Sequence, residues 1–128
     1  MSATPTSKHS AGTFAIWALR VLAAALFLFA GFAKLSGQAM MVQEFARVGV
    51  GQWFRYFTGA MEIAGGVAAL IPAFSPLGAV ALLCVDAGAF VAQVSILHDD
   101  WIHTLVIGAA LCALIYLQRG RLGELIGR

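Results

Sequence analysis

Six side chains able to carry charge, a proton or a strong hydrogen bond stand inside long apolar runs or at their ends: Arg20, Lys34, Glu62, Asp86, Gln93 and His103. An ionisable group at the centre of a membrane span costs about 2.5–3.5 kcal/mol on insertion scales, so a small protein is expected to give such groups partners or work. Read as helices, the runs turn these groups inward. Glu62 shares a face with Gly59, Gly66 and Ala69, and small residues mark faces where helices approach closely. Arg20 falls in line with Ala23, Ala24, Phe27 and Gly31, with Lys34 near the end of that stripe, and Asp86 with Ala79, Ala89 and Gln93. A rise of about 1.5 Å per residue puts Arg20 about 10 Å, Asp86 about 15 Å and Glu62 roughly 16–18 Å from the side holding the termini. The expectation is a buried Arg20, Asp86 and Glu62 cluster, continued by Gln93 toward Lys34 and His103.

One arginine cannot neutralise two carboxylates. Unless Lys34 reaches Glu62, one acid is expected to keep a proton and be able to exchange it, the chemistry of a ligand or proton site. The structural alternative makes Arg20 and Asp86 an ion pair that fixes helix register, with Glu62 protonated and hydrogen-bonded to a backbone carbonyl or Thr58. His98 to His103, HDDWIH, sets Asp99 and His103 one helical turn apart, but such groups at a helix start serve as caps and solvated charge, and no metal site is expected. Cys84 and Cys112 lack a C-x-x-C or Cys-His spacing and read as small core residues.

The elements that must hold these residues follow from composition. Of 128 residues 61% are hydrophobic and 11% charged, against about 25% charged in soluble domains, which places the chain in the membrane class. A net charge of +2 with scattered basic residues excludes a nucleic-acid surface. Apolar stretches predict spans over about 14–34, 54–73, 75–97 and 101–119, with Ser75 as a helix cap, Pro76 in the first turn, and Asp99 or Asp100 capping the last helix. Between the first two spans, QAMMVQEFARV puts Met41, Phe45 and Val48 on one face, a short interfacial helix. Trp53, Arg55 and Tyr56 then have the composition of a headgroup-level anchor, or of a lid over a lateral entry.

The fold expected is all-α: an integral membrane bundle of four transmembrane helices over residues 13–119, a disordered tail over 1–12 and a short basic tail over 120–128. Four spans put both termini on one side, with four Lys and Arg there (Lys8, Arg119, Arg121, Arg128) against three opposite (Lys34, Arg47, Arg55). The positive-inside rule then favours cytoplasmic termini.

Arg20, FLFAGFAKLSG at 27–37, EFARVG at 44–49 and TGAMEIAGG leading to LIP at 58–72 resemble the DoxX family of small bacterial and archaeal membrane proteins. The resemblance implies a multi-pass protein of the bacterial inner membrane and carries over Arg20, Gly31, Lys34, Gly59, Glu62 and Gly66 as pattern positions. The family takes its name from a subunit of an archaeal terminal quinol oxidase, and relatives are linked to membrane thiol and oxidative-stress systems.

Three functions are compatible with these readings. The first is an accessory or subunit of a membrane redox system, partnered by redox proteins, whose polar residues bind a quinone, a lipid headgroup or a proton. The second is a small oligomeric transporter or proton path. The third is a structural adaptor in the lipid bilayer. No redox cofactor site is evident in the chain, which argues against a stand-alone catalyst.

Overall fold

The computed structural model describes residues 4–127, and every regular element among them is helical. Helix α1 runs Thr4–Leu35, ten residues ahead of the expected start at Phe14. The polar segment after Pro5 holds no further proline, and extending a helix already nucleated by an apolar run offsets the roughly 1 kcal/mol cost of Gly12. The tail expected over residues 1–12 is therefore helical from Thr4, and residues 1–3 lie outside the described residues. At its other end α1 closes as the Ser36-Gly37 pair suggests. Gly37 takes φ +77°, its N–H bonds to the Lys34 carbonyl at 3.3 Å, and the Gln38 N–H reaches back to Ala33 at 3.1 Å. This Schellman closure satisfies carbonyls that the helix end leaves open.

Helix α2, Ala39–Val48, is the amphipathic connection: Phe45 is buried, Met41 and Val48 half-buried, Met40 exposed. It stops at Gly49, at φ +84°, whose N–H bonds to the Phe45 carbonyl. Gln52 Nε2 donates to the Val42 carbonyl at 3.0 Å and Phe45 meets Phe54 edge to face, so α2 is fastened to the start of α3, Gln52–Leu70.

Helix α4, Ser75–Ala92, continues as a π-helical turn over Gln93–Leu97 that ends at His98 with φ 52°. Helix α5 covers Ile102–Leu117 and α6 Arg119–Leu125, bent 73° from α5. Residues expected to form a basic tail after 119 are thus helical up to Leu125.

Helix α1 packs on α3, α3 on α4 and α4 on α5, with a looser return from α5 to α1. Glycine sets the closest approach. A Cβ on Gly31 would stand 2.8 Å from the Gly59 carbonyl, and one on Gly59 would stand 3.1 Å from the Gly31 carbonyl, so neither backbone leaves room for a side chain. On the other side of α3, Gly65 lies against Leu82, and Gly78 against Ala68 and Ala69. Phe27, Leu82 and Leu111 form an apolar layer through the middle, flanked by Ala23, Leu83, Val85 and Ile107.

The inward faces anticipated on α1, α3 and α4 are the buried ones: Ala24, Phe27 and Gly31; Gly59, Glu62, Gly66 and Ala69; Ala79 and Asp86. The cysteines are not. Cys84 and Cys112 are exposed, because each stands two positions, roughly half a helical turn, from buried residues: Cys84 from Leu82 and Asp86, Cys112 from Leu114.

By length and composition α1 (over Ala11–Leu35) and the continuous Ser75–Leu97 are apolar enough to cross a membrane, and α5 with α6 can count as a third, broken span. The four expected spans are met in part. Helix α3 carries Gln52, Arg55, Tyr56 and Glu62, and α5 alone has 16 residues, about 24 Å of helix against a hydrocarbon core of about 30 Å.

Candidate functional site

The polar groups separate into three places. The expected Arg20, Asp86 and Glu62 cluster does not form. The glycine contacts fix the reason: Gly59 lies beside Gly31 and Lys34, and Gly66 beside Leu28 and Ala24, so Glu62 is level with residues two to three turns beyond Arg20. Helical rise makes that about 12–16 Å along α1, with Phe27 between them.

At the first place Arg20 is buried where the bundle ends. Its Nε donates to Ser75 Oγ and Gln118 Oε1, both at 3.1 Å, its Nη2 donates to Gln118 Oε1 at 2.6 Å, and its guanidinium lies 4.6 Å from the Trp17 ring centre. Ser75, expected to cap α4, is instead its first residue, and its hydroxyl serves Arg20. Gln118 was missed; the only signal was its place as the polar residue closing the last apolar run, the level at which Arg20 must find acceptors.

At the second place Lys34 and Glu62 join α1 to α3. Lys34 Nζ stands 3.0 Å from Glu62 Oε1 and donates to Oε2 at 3.3 Å, with side-chain exposures of 13% and 5%. Although Oε1 is within ion-pair distance, no donor among the described residues is directed at it. The ammonium reaches the carboxylate because Gly59 lets the Lys34 Cβ pass close by.

Arg55 belongs to this region too, and is not an exposed anchor. It is 5% exposed, donates from Nε to Gln52 Oε1 at 2.6 Å and from Nη1 to the Lys34 carbonyl, and lies over the Tyr56 ring at 4.3 Å. A cation on the final carbonyls of α1 complements the negative end of its dipole. Trp53 and Tyr56 are exposed, and Trp53 packs edge to face on Phe54. Arg55→Met is expected to cost about 1.5–3 kcal/mol, the range for hydrogen bonds to charged groups, and to speed amide hydrogen exchange around Ser36–Gln38. Exchange unchanged at those amides would rule out the capping role.

At the third place Asp86 is buried on α4 beside α5, and a Cβ on Gly108 would come 2.9 Å from its Oδ2. No cation lies within ion-pair distance of it among the described residues. Gln93, in the π-helical turn, has a buried Oε1 without a donor. His103 pairs with Asp100, not Asp99, at 3.3 Å, and both side chains are well exposed. Asp100 Oδ1 also accepts the Ile102 N–H at 3.0 Å, from one residue before the N-cap position of α5, which Trp101 holds in place of the expected Asp99 or Asp100. The six residues therefore do not make one continuous site. Lys34 and Glu62 are in contact; Arg20, Asp86, Gln93 and His103 have other surroundings.

No curated protein and no solved structure matches the chain. A family model does, described as the DoxX-like family and matching residues 18–117, from just before Arg20 to the end of α5. That span holds the glycine crossing, the Lys34 and Glu62 pair and Asp86, so the chain belongs to the DoxX-like family and is a DoxX-like membrane protein.

Proposed function

We propose that the protein is a four-span accessory or subunit of a membrane redox system, and that Lys34 and Glu62 bind the headgroup of a quinone. The observation that carries this reading is the pair itself: an ammonium and a carboxylate, nearly buried at a helix crossing, with Glu62 Oε1 receiving no directed hydrogen bond. A lysine ammonium has three donors, and Glu62 uses one of them for its hydrogen bond. A quinone carbonyl fits a remaining donor, and a hydroquinone hydroxyl fits Oε1. Electrons come from and go to partner proteins, since the chain offers the headgroup binding and orientation only.

The amphipathic α2 and the exposed Trp53 and Tyr56 lie at the same end as Lys34, where a lipid-soluble ligand would enter from the headgroup level. A transport or proton path is less well supported, because Phe27, Leu82 and Leu111 intervene between Arg20 and the pair. With four spans and the four-to-three distribution of Lys and Arg, we place the protein in a bacterial inner membrane with cytoplasmic termini.

The test is titration of the protein in lipid nanodiscs with a short-chain quinone, following fluorescence of Trp53 after Trp17→Phe and Trp101→Phe. Saturable quenching is expected, weakened about tenfold or more, 1.4 kcal/mol, in Glu62→Gln and in Lys34→Met. Linear, unsaturating quenching that is the same in all three proteins would defeat the reading.

A further inference from the structure

The Arg20 end of the bundle has more positive charge than its own residues balance. Arg20 is 7% exposed, its acceptors are the neutral Ser75 and Gln118, and no carboxylate lies within ion-pair distance of it among the described residues. Arg121 on α6 adds a second positive charge to its surroundings. Glu124, the acid on α6, is exposed and pairs with neither arginine. The positive end of the 18-residue α4 opens at the same point, with no side-chain cap, since Phe74 holds the N-cap position and the Ser75 hydroxyl serves Arg20.

Among the described residues, two hydrogen-bond donors there have no acceptor. Gln118 turns Oε1 to the guanidinium, which leaves its Nε2 on the other side of the amide, buried and unpartnered in a residue 5% exposed. Arg20 uses Nε and Nη2, so Nη1 is uncommitted among the described residues. A buried cation with spare donors calls for an anion. An apolar groove of about 140 Å³ opens between α1 and α5, starting at Leu19, the residue before Arg20 in the chain, and running past Leu22, Leu26, Val106 and Ala110. An anion joined to a hydrocarbon chain matches both halves.

We propose that this end of the protein holds one anionic phospholipid, its phosphodiester accepting hydrogen bonds from Arg20 Nη1 and Gln118 Nε2 beside Arg121, with an acyl chain in the groove between α1 and α5. This site is separate from Lys34 and Glu62. A phosphate oxygen supplies several acceptor positions to the planar guanidinium, and the fork geometry of arginine suits it.

The experiment is native mass spectrometry of the delipidated full-length protein in detergent, titrated in separate series with phosphatidylglycerol, phosphatidylcholine and inorganic phosphate. One phosphatidylglycerol is expected to be retained at about a tenth of the phosphatidylcholine concentration. Arg121 and Ala110 are exposed, so Arg121→Gln and the groove-filling Ala110→Phe should leave the fold intact, and each is expected to erase most of that preference. Glu62→Gln should not change it, which separates this site from the quinone reading. Several phosphatidylglycerol molecules bound alike in every variant would mean an annular shell and overturn the proposal. So would inorganic phosphate competing as well as the lipid, since the groove would then contribute nothing, or no preference between the two lipids.

Discussion

Gly31→Ala is expected to destabilise the protein by about 1–3 kcal/mol, the range for overpacked sites, although the same change in an open helix position is favourable. The usual gain from replacing a helical glycine by alanine is about 0.5–1 kcal/mol. At Gly31 the new methyl would lie 2.8 Å from the Gly59 carbonyl oxygen and 2.9 Å from Ile63 Cγ1. Ile63 can turn aside; the Gly59 carbonyl belongs to the α3 backbone and cannot, so the two helices must separate. That motion draws Lys34 away from Glu62, adding the loss of an ion pair to the steric cost. The control is Gly88→Ala on α4, where a Cβ would meet nothing within 4 Å and the ordinary helical gain should appear. Equilibrium unfolding of both variants in detergent gives the sign of each. Gly31→Ala matching Gly88→Ala in stability would mean that the crossing is looser than the structure has it.

The glycines also mark where sequence reasoning succeeded and where it stopped. Small residues at helical spacing identified the inner faces of α1, α3 and α4, because the need for close approach shows in residue type. Gly37 and Gly49 stand at helix ends for a comparable reason: left-handed backbone is cheap for glycine. Level along the bundle is another kind of information. It depends on which residue of one helix lies opposite which of the next, and residue faces do not specify that. Depths counted from assumed boundaries brought Arg20 within reach of Glu62, whereas the Gly31 and Gly59 contact puts Glu62 two to three turns beyond Arg20.

Residues with more than one plausible job were misassigned for the same reason. Ser75 before Pro76 has the form of an N-cap, and only the position of α1 shows that its hydroxyl accepts from Arg20. Arg55, in an aromatic segment, resembled an interfacial anchor until the end of α1 came beside it. The cysteines were read as core from their type, although the helical positions of Cys84 and Cys112 relative to Asp86 and Leu114 point them outward.

Lys34→Met is expected to cost about 3–5 kcal/mol, the penalty for removing one partner of a buried ion pair, while Lys34→Met with Glu62→Leu together should lie within about 1 kcal/mol of the unaltered protein. The asymmetry follows from what each change leaves behind. With Lys34 gone, Glu62 stays 5% exposed at the helix crossing with no cation within 4 Å among the described residues. With both gone, two apolar side chains of similar volume meet where the charges were, and no buried charge remains to be desolvated. Methionine can follow the path of the lysine stem past Gly59, so the packing contribution of the stem is largely kept. Unfolding free energies of the four proteins form a double-mutant cycle, and the loss in Lys34→Met against its recovery in the double variant makes the expected coupling at least about 2–4 kcal/mol. Additive losses, with no recovery in the double variant, would mean that the 3.0 Å contact does not hold α1 to α3. The same double variant also separates stability from purpose. If it folds as well as the unaltered protein yet no longer gives saturable quinone quenching, the charged pair is dispensable for the bundle and its place at the crossing is explained by the ligand. If it folds and still binds quinone, the pair is not the headgroup site, and the apolar crossing alone would account for any quinone retained there.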